Sequence, residues 1–248
     1  MKNKTVGIIG AMPEEVMGIV ELLSDRQEKK IGERIYYYGH INNISTVVVI
    51  SGWGKVSAAM TISTLIHHFN ISEVIFTGVA GAIQPQLNIG DIVIGKRLVY
   101  HDMDARPLIP QFQIPSLGKI FIETQTYQLQ LAKKAIEVLL NNLIEYNLKK
   151  HGITQPVLHI GDIASGDQFF SSNQQKTNLL KNLPTVLCVE MEGAAVAHVC
   201  EEHNIPFTVI RTISDKADET SNIDFLSFIK QIASRYSVDI IKNIYSLY

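Results

Sequence analysis

Short runs rich in Val, Ile and Thr alternate along this chain with segments whose apolar residues recur every three or four positions, and the alternation persists from end to end. The first kind suits buried strands and the second amphipathic helices, so the pattern predicts a layered α/β domain. Residues 6–12 form the first expected strand, and 13–23 a helix with Pro13 at its first position, where no backbone N–H is needed. Residues 34–41 and 45–51 flank Asn42 and Asn43, which tolerate positive φ, and read as a hairpin. A helix over 55–69 follows, then strands over 73–79 and 91–100, the second introduced by the turn Asn88-Ile89-Gly90. Three prolines mark 106–118 as a long loop. A long amphipathic helix is expected over 127–150, strands over 157–164, 186–191 and 207–213, and helices over 192–203 and 223–247. With no internal repeat and no linker-like stretch, residues 1–248 read as a single domain.

Composition narrows the partners. The 22 Lys and Arg against 24 Asp and Glu leave a formal charge of −2, so no general attraction draws the chain to nucleic acid or an anionic membrane. Neither Cys188 nor Cys200 has the spacing of a metal site or a disulfide framework, which fits two buried thiols in a reducing compartment. The basic residues at the N-terminus lead straight into a strand without a signal-peptide pattern, and no run approaches the roughly 18 apolar residues of a membrane span. The expectation is a cytoplasmic protein. Adjacent His67 and His68 point to different sides of a helix, and His198 and His203 lack one-turn ligand spacing, so no metal is expected. His101-Asp102-x-Asp104 reads as a hydrogen-bonded turn.

In sheet-and-helix domains, ligands gather at the carboxyl ends of strands. After the first strand comes Gly10-Ala11-Met12-Pro13-Glu14-Glu15, where the carboxylates either cap a helix or face a ligand for which the glycine leaves room. Two glycine turns, Ser51-Gly52-Trp53-Gly54-Lys55 and Thr77-Gly78-Val79-Ala80-Gly81, permit close backbone approach but match no dinucleotide or phosphate-loop fingerprint, so no cofactor is expected. In Ser165-Gly166-Asp167-Gln168-Phe169-Phe170 the aromatics either stack on a planar base or fill the core. Glu190 and Glu192 flank Met191 at the end of an apolar strand, and Arg211, Ser214 and Asp215 end the next. Carboxylates there are costly unless solvated, paired or used, and both ion pairing and catalysis fit the set.

Taken in order, these motifs resemble the 5'-methylthioadenosine/S-adenosylhomocysteine nucleosidases of the nucleoside phosphorylase/hydrolase superfamily. The matching segments are 7–16, 51–56, 77–81, 90–93, 101–104, 165–169, 189–192 and 211–215, which span nearly the whole chain. The resemblance implies a three-layer α/β/α domain with a twisted mixed central sheet. It also implies a homodimer in which each site borrows apolar residues from the other subunit, and hydrolysis of an adenine nucleoside to adenine and a 5-thio-substituted ribose without any cofactor. Carried over by position, Glu15 would activate water, Asp215 would protonate purine N7, and Glu192 would hold the ribose hydroxyls, with Met191 against the sugar and Glu190 nearby. Phe169 would stack on adenine, the Phe170 backbone would meet its polar edge, and Met12 and Trp53 would line the sugar and 5'-substituent region beside the Gly81 turn. Ser214 would orient Asp215, and Arg211 would sit near Glu15.

Acid and base roles require carboxylates in opposed environments. Like charge is expected to raise Asp215, and the helix N-terminus to lower Glu15. Phosphorylases of the superfamily hold phosphate with an arginine in the first glycine-rich loop, whereas residues 10–15 carry two carboxylates and no arginine, which favours water as nucleophile. Two positions depart from the resemblance: many members have serine where Val79 sits and a smaller aliphatic residue where Trp53 sits. The loop over 105–118, which in the family walls the neighbouring site, offers Phe112 or Ile109 for that wall. An aminodeoxyfutalosine hydrolase, a phosphorylase and a silent nucleoside-binding protein are the competing readings. The joint presence of Glu15, Glu192 and Asp215 argues against the last.

Overall fold

The computed structural model describes residues 4–143, 148, 153, 155–218, 228 and 232–248. Within these, the apolar runs become strands β1 (Thr5–Gly10), β2 (Ser24–Ile31), β3 (Arg34–Ile41), β4 (Ile44–Ile50), β5 (Glu73–Ala82), β6 (Ile92–Tyr100), β7 (Ile122–Glu123), β8 (Leu158–Ser165), β9 (Val186–Glu190) and β10 (Phe207–Asp215). The helices are α1 (Pro13–Val20), α2 (Lys55–Phe69), α3 (Thr126–Leu140), α4 (Asn173–Asn182), α5 (Gly193–Glu202) and α6 (Ser234–Ser246). The expected continuation of α3 towards residue 150 and the start of the helix expected from 223 fall largely outside the described residues.

One mixed sheet carries the fold, ordered β10-β6-β8-β9-β5-β1-β4-β3-β2, with β7 attached to β6. Because β10 also pairs in parallel with β5, the strands β5, β10, β6, β8 and β9 close into a ring, from which β1, β4, β3 and β2 extend. Neighbouring residues on a strand face opposite helix layers. Ile8 and Ile75 pack in the cluster formed with α1, α3 and α6, while Ile9 and Phe76 pack in the one formed with α2 and α5. The three expected layers are therefore present, with the central sheet rolled rather than open. Both cysteines are free and fully buried.

Besides the two-residue strand β7, two elements went unread in the sequence. Strand β2 has no apolar alternation because it lies exposed along the sheet edge, where its charged residues blunt edge-to-edge pairing. Helix α4 buries only Leu179, so it lacks an apolar stripe, yet its start was signalled: Ser172 Oγ accepts from the Gln175 N–H, and Gln175 Oε1 accepts from the Ser171 N–H.

Topology places the site. Strands β1, β4, β5 and β10 run parallel, and antiparallel β9 meets β5 at Gly81↔Val189, so Gly10, Ser51, Gly81, Glu190 and Asp215 reach one end of the sheet. Glycine is required at Gly54, where φ is 89°, and space rather than φ selects Gly78, whose Cβ would lie 2.8 Å from Glu15 Oε1.

Candidate active site

At this end lies a cleft of about 440 Å³, lined among others by Met12, Glu15, Trp53, Gly81, Phe169, Glu190, Met191, Glu192, Ser214 and Asp215. Its size suits a small ligand, and its walls are mostly apolar with a few convergent polar groups. Residues from opposite ends of the chain thus meet as the resemblance implied. Ala11, Val79, Ala80 and Val189 complete the lining and were not singled out as contacts. A smaller lobe, bordered by Gln168 and Phe170, shares Gly81, Phe169 and Asp215 with the cleft.

Two of the expected site residues bring no side chain to the lining of the main cleft. The Phe170 ring is buried in a core cluster and sits edge-on to His101, so at most its backbone side faces the lobe. Arg211 lies beneath the cleft, 1% exposed, its guanidinium 4.0 Å from the centre of the Phe76 ring. It donates to Glu190 Oε2 at 2.7 Å and to the carbonyls of Phe76 and Ile210 at 3.3 and 3.1 Å, so it supports the site from below. Phe112, offered for the wall of a neighbouring site, is instead part of this chain's own core, whereas Leu108 is 87% exposed on the same loop.

Glu15 sits in the first turn of α1, almost fully buried. Its Oε2 accepts from the N–H groups of Ala11 and Met12 at 2.6 and 3.0 Å, and its Oε1 from Val79 at 3.2 Å. The expectation that the helix terminus lowers its pKa is overturned. Burial raises it, because desolvating the charge outweighs Arg211 and the three N–H donors that oppose the shift.

Glu192 precedes α5 and accepts from the Gly54 N–H at 2.7 Å. Burial, followed by the nearby Glu190 carboxylate, pushes its pKa up to about 8. Glu190 itself is saturated with donors: Arg211, the N–H groups of Glu192 and Gly193, and the Ser165 hydroxyl. Ser165 Oγ also accepts from the Ala194 N–H at 2.7 Å, tying β8 to the start of α5. The sequence pattern around Ser165 does not distinguish this hydroxyl. Asp215 ends β10, with Oδ1 accepting from the Ala217 N–H and Oδ2 from the Ser214 hydroxyl, both at 2.8 Å.

Among the described residues, no group of three or more His, Cys, Asp or Glu side chains is placed to hold a metal ion. In the His101-Asp102-x-Asp104 turn, Asp102 pairs with Lys55 and Asp104 with Arg106.

Fold and cleft together suit an α/β enzyme that takes a small ligand in a mostly apolar cleft edged by carboxylates. A family model described as the phosphorylase superfamily matches residues 5–245. A 5'-methylthioadenosine/S-adenosylhomocysteine nucleosidase of Staphylococcus haemolyticus is 34% identical over 94% of this chain and 95% of its own length. The aminodeoxyfutalosine nucleosidase of Helicobacter pylori is 36% identical over 92% of each chain. The crystal structure of the 5'-methylthioadenosine/S-adenosylhomocysteine nucleosidase of Colwellia psychrerythraea in complex with adenine superimposes with a TM-score of 0.88 at 31% identity, covering 99% of this chain and 96% of that one. The chain belongs to the phosphorylase superfamily, within its 5'-methylthioadenosine/S-adenosylhomocysteine nucleosidases.

Proposed function

We propose that this protein hydrolyses the N-glycosidic bond of 5'-methylthioadenosine and S-adenosylhomocysteine, releasing adenine and the 5-thio-substituted ribose. The observation that carries the choice of water over phosphate is the charge of the cleft. Glu15, Glu190, Glu192 and Asp215 line it, no Lys or Arg does among the described residues, and the guanidinium beneath is already paired with Glu190. An incoming phosphate would meet carboxyl groups and find no cation free to pair with it among the described lining residues.

In this reading the bond from C1' to N9 breaks with its electron pair passing to adenine, and Asp215 delivers a proton to N7, without which adenine leaves poorly. Water adds to C1' as Glu15 takes its proton. Burial moves Glu15 towards neutrality, the direction that strengthens a general base. The Ser214 hydroxyl has one proton and two acceptors in reach, Asp215 Oδ2 at 2.8 Å and the Ala80 carbonyl at 3.3 Å. Turned to Ala80, it becomes an acceptor for a protonated Asp215, so one hydroxyl serves both states of the acid. Glu192 holds the ribose hydroxyls, Met191 packs on the sugar and Phe169 stacks on the base. Met12, Val79 and Trp53 face the 5'-substituent.

The reading includes a cytoplasmic homodimer. Support for the dimer comes from an exposed apolar strip beside the cleft: Trp53, then Val56 and Met60 one turn apart on α2 at 71% and 56% exposure. Sedimentation of the purified protein tests it.

The deciding experiment is adenine release from either nucleoside in phosphate-free buffer, repeated with phosphate. Release without phosphate is expected. Release only with phosphate refutes the hydrolase, and activity confined to aminodeoxyfutalosine moves the assignment to the specificity of the Helicobacter pylori relative.

A further inference from the structure

One charged cluster beside the cleft has no part in these steps. Lys55 Nζ lies 2.6 Å from Asp102 Oδ2 and 3.5 Å from Asp167 Oδ2, and Asp102 Oδ2 also accepts from the Asp167 N–H at 3.0 Å. Asp167 Oδ1 in turn accepts from the Lys55 N–H at 2.8 Å. Lys55 opens α2, and Gly54 before it has no side chain with which to cap that helix. Asp167 therefore caps α2 from another loop, at the end where the helix favours a carboxylate.

What the cluster joins gives it meaning. Gly54, held at a φ of 89°, donates its N–H to Glu192, and a Cβ on it would lie 2.9 Å from Asp167 Oδ1, so the two loops are fitted against each other. Phe169 follows Asp167 by two residues and lines the same cleft.

We infer that Lys55, Asp102 and Asp167 are positioning residues that dock the Phe169 loop on the N-terminus of α2, fixing the Gly54 N–H on Glu192 and the aromatic ring over the base in a single arrangement. The inference rests on the nucleosidase reading for its kinetic consequence, but not for its structural one.

Asp167→Ala deletes the acceptor for the Lys55 N–H, and Asp167→Asn keeps it. The alanine variant is expected to lose on the order of tenfold or more in kcat/KM for 5'-methylthioadenosine, as a displaced positioning loop does, with a rise in KM, while the asparagine variant recovers most of that loss. Trp53 is the only tryptophan and sits two residues before α2, on the loop against which the Phe169 loop docks, so quenching of its fluorescence by acrylamide reports the order of that junction without turnover. Quenching should increase in Asp167→Ala and match the unaltered protein in Asp167→Asn. Unchanged kcat/KM and quenching in the alanine variant overturn the inference, as does an equal loss in both variants. If the unaltered protein releases no adenine, the nucleosidase reading fails by itself, and the Trp53 measurement still decides the positioning role.

Discussion

Replacing Gly78 by alanine should remove most of the activity without contacting substrate. Gly78 sits buried in β5 opposite Arg211, with an ordinary strand φ, so the backbone accepts an added methyl. The obstacle is Glu15, because the new Cβ would lie 2.8 Å from Glu15 Oε1 and 3.3 Å from Arg211 Nη1. Arg211 is locked by Glu190 and two carbonyls, so Glu15 must give way. Its weakest tether is the 3.2 Å bond from the Val79 N–H, and losing it would let Oε1 swing out of place. A misplacement of about 1 Å costs ~10²-fold, so kcat/KM should fall between roughly tenfold and a hundredfold. Stability should change less: overpacking costs about 1–3 kcal/mol, offset by ~0.5–1 kcal/mol from replacing glycine within a strand. The assay is adenine release alongside thermal melting, in the Gly78→Ala protein and again in a Glu15→Gln background. In that background the alanine should add almost nothing to the kinetic loss, since the group it displaces is already disabled. Full activity in a folded Gly78→Ala protein, or losses that simply add, would refute the reasoning.

Further outcomes follow from the same geometry. Asp215→Asn should lower kcat by about 10²–10⁴-fold in phosphate-free adenine release, since an amide cannot deliver the N7 proton; retained turnover would remove Asp215 from the acid role. Glu192 is shifted from 4.5 up to about 8 by burial and then by Glu190, so the folded protein keeps a proton that the unfolded chain has released. Its contribution to stability is full below about pH 4.5 and is lost as pH rises through about 8. The melting temperature of Glu192→Gln should therefore gain on that of the unaltered protein across this interval, and a constant gap between the two melting curves would contradict the shift. Arg211→Met should destabilise the fold by about 3–5 kcal/mol in denaturant titrations, because Glu190 is left buried without its partner; pairing it with Glu190→Gln should restore much of the loss.

The sequence showed most of the strands because a buried strand must be apolar. It hid β2 because the edge position relieves that requirement, and it hid α4 because a helix that buries a single leucine has no stripe to read. Closure of the sheet was also invisible, since the pairing of β10 with both β5 and β6 is a property of topology rather than of any residue pattern. At the site, residues at strand ends were legible because glycines and carboxylates are out of place there. Arg211 lies near Glu15 as the motif order implied, but sequence order could not show that its guanidinium runs beneath the cleft to Glu190. Glu15 was misjudged in its titration because a helix N-terminus is readable, whereas 4% exposure is not.

Glu15 also shows that capping a helix and facing a ligand cleft are not exclusive. Its Oε2 takes the Ala11 and Met12 N–H groups at the start of α1, as a structural carboxylate would, while Oε1 faces Val79 and the cleft. The cap fixes the side chain, so under the proposed role as base it costs little further ordering when substrate binds. Burial then works in opposition to the cap, raising the pKa that the N–H groups lower. A residue needed only for capping would have had no reason to be buried in the cleft near Glu192, whose pKa its charge helps to raise. Arg211, Ser165 and the start of α5 saturate Glu190, while burial raises the pKa of both Glu15 and Glu192. That distribution favours a site which holds and moves protons over one built to grip an anion.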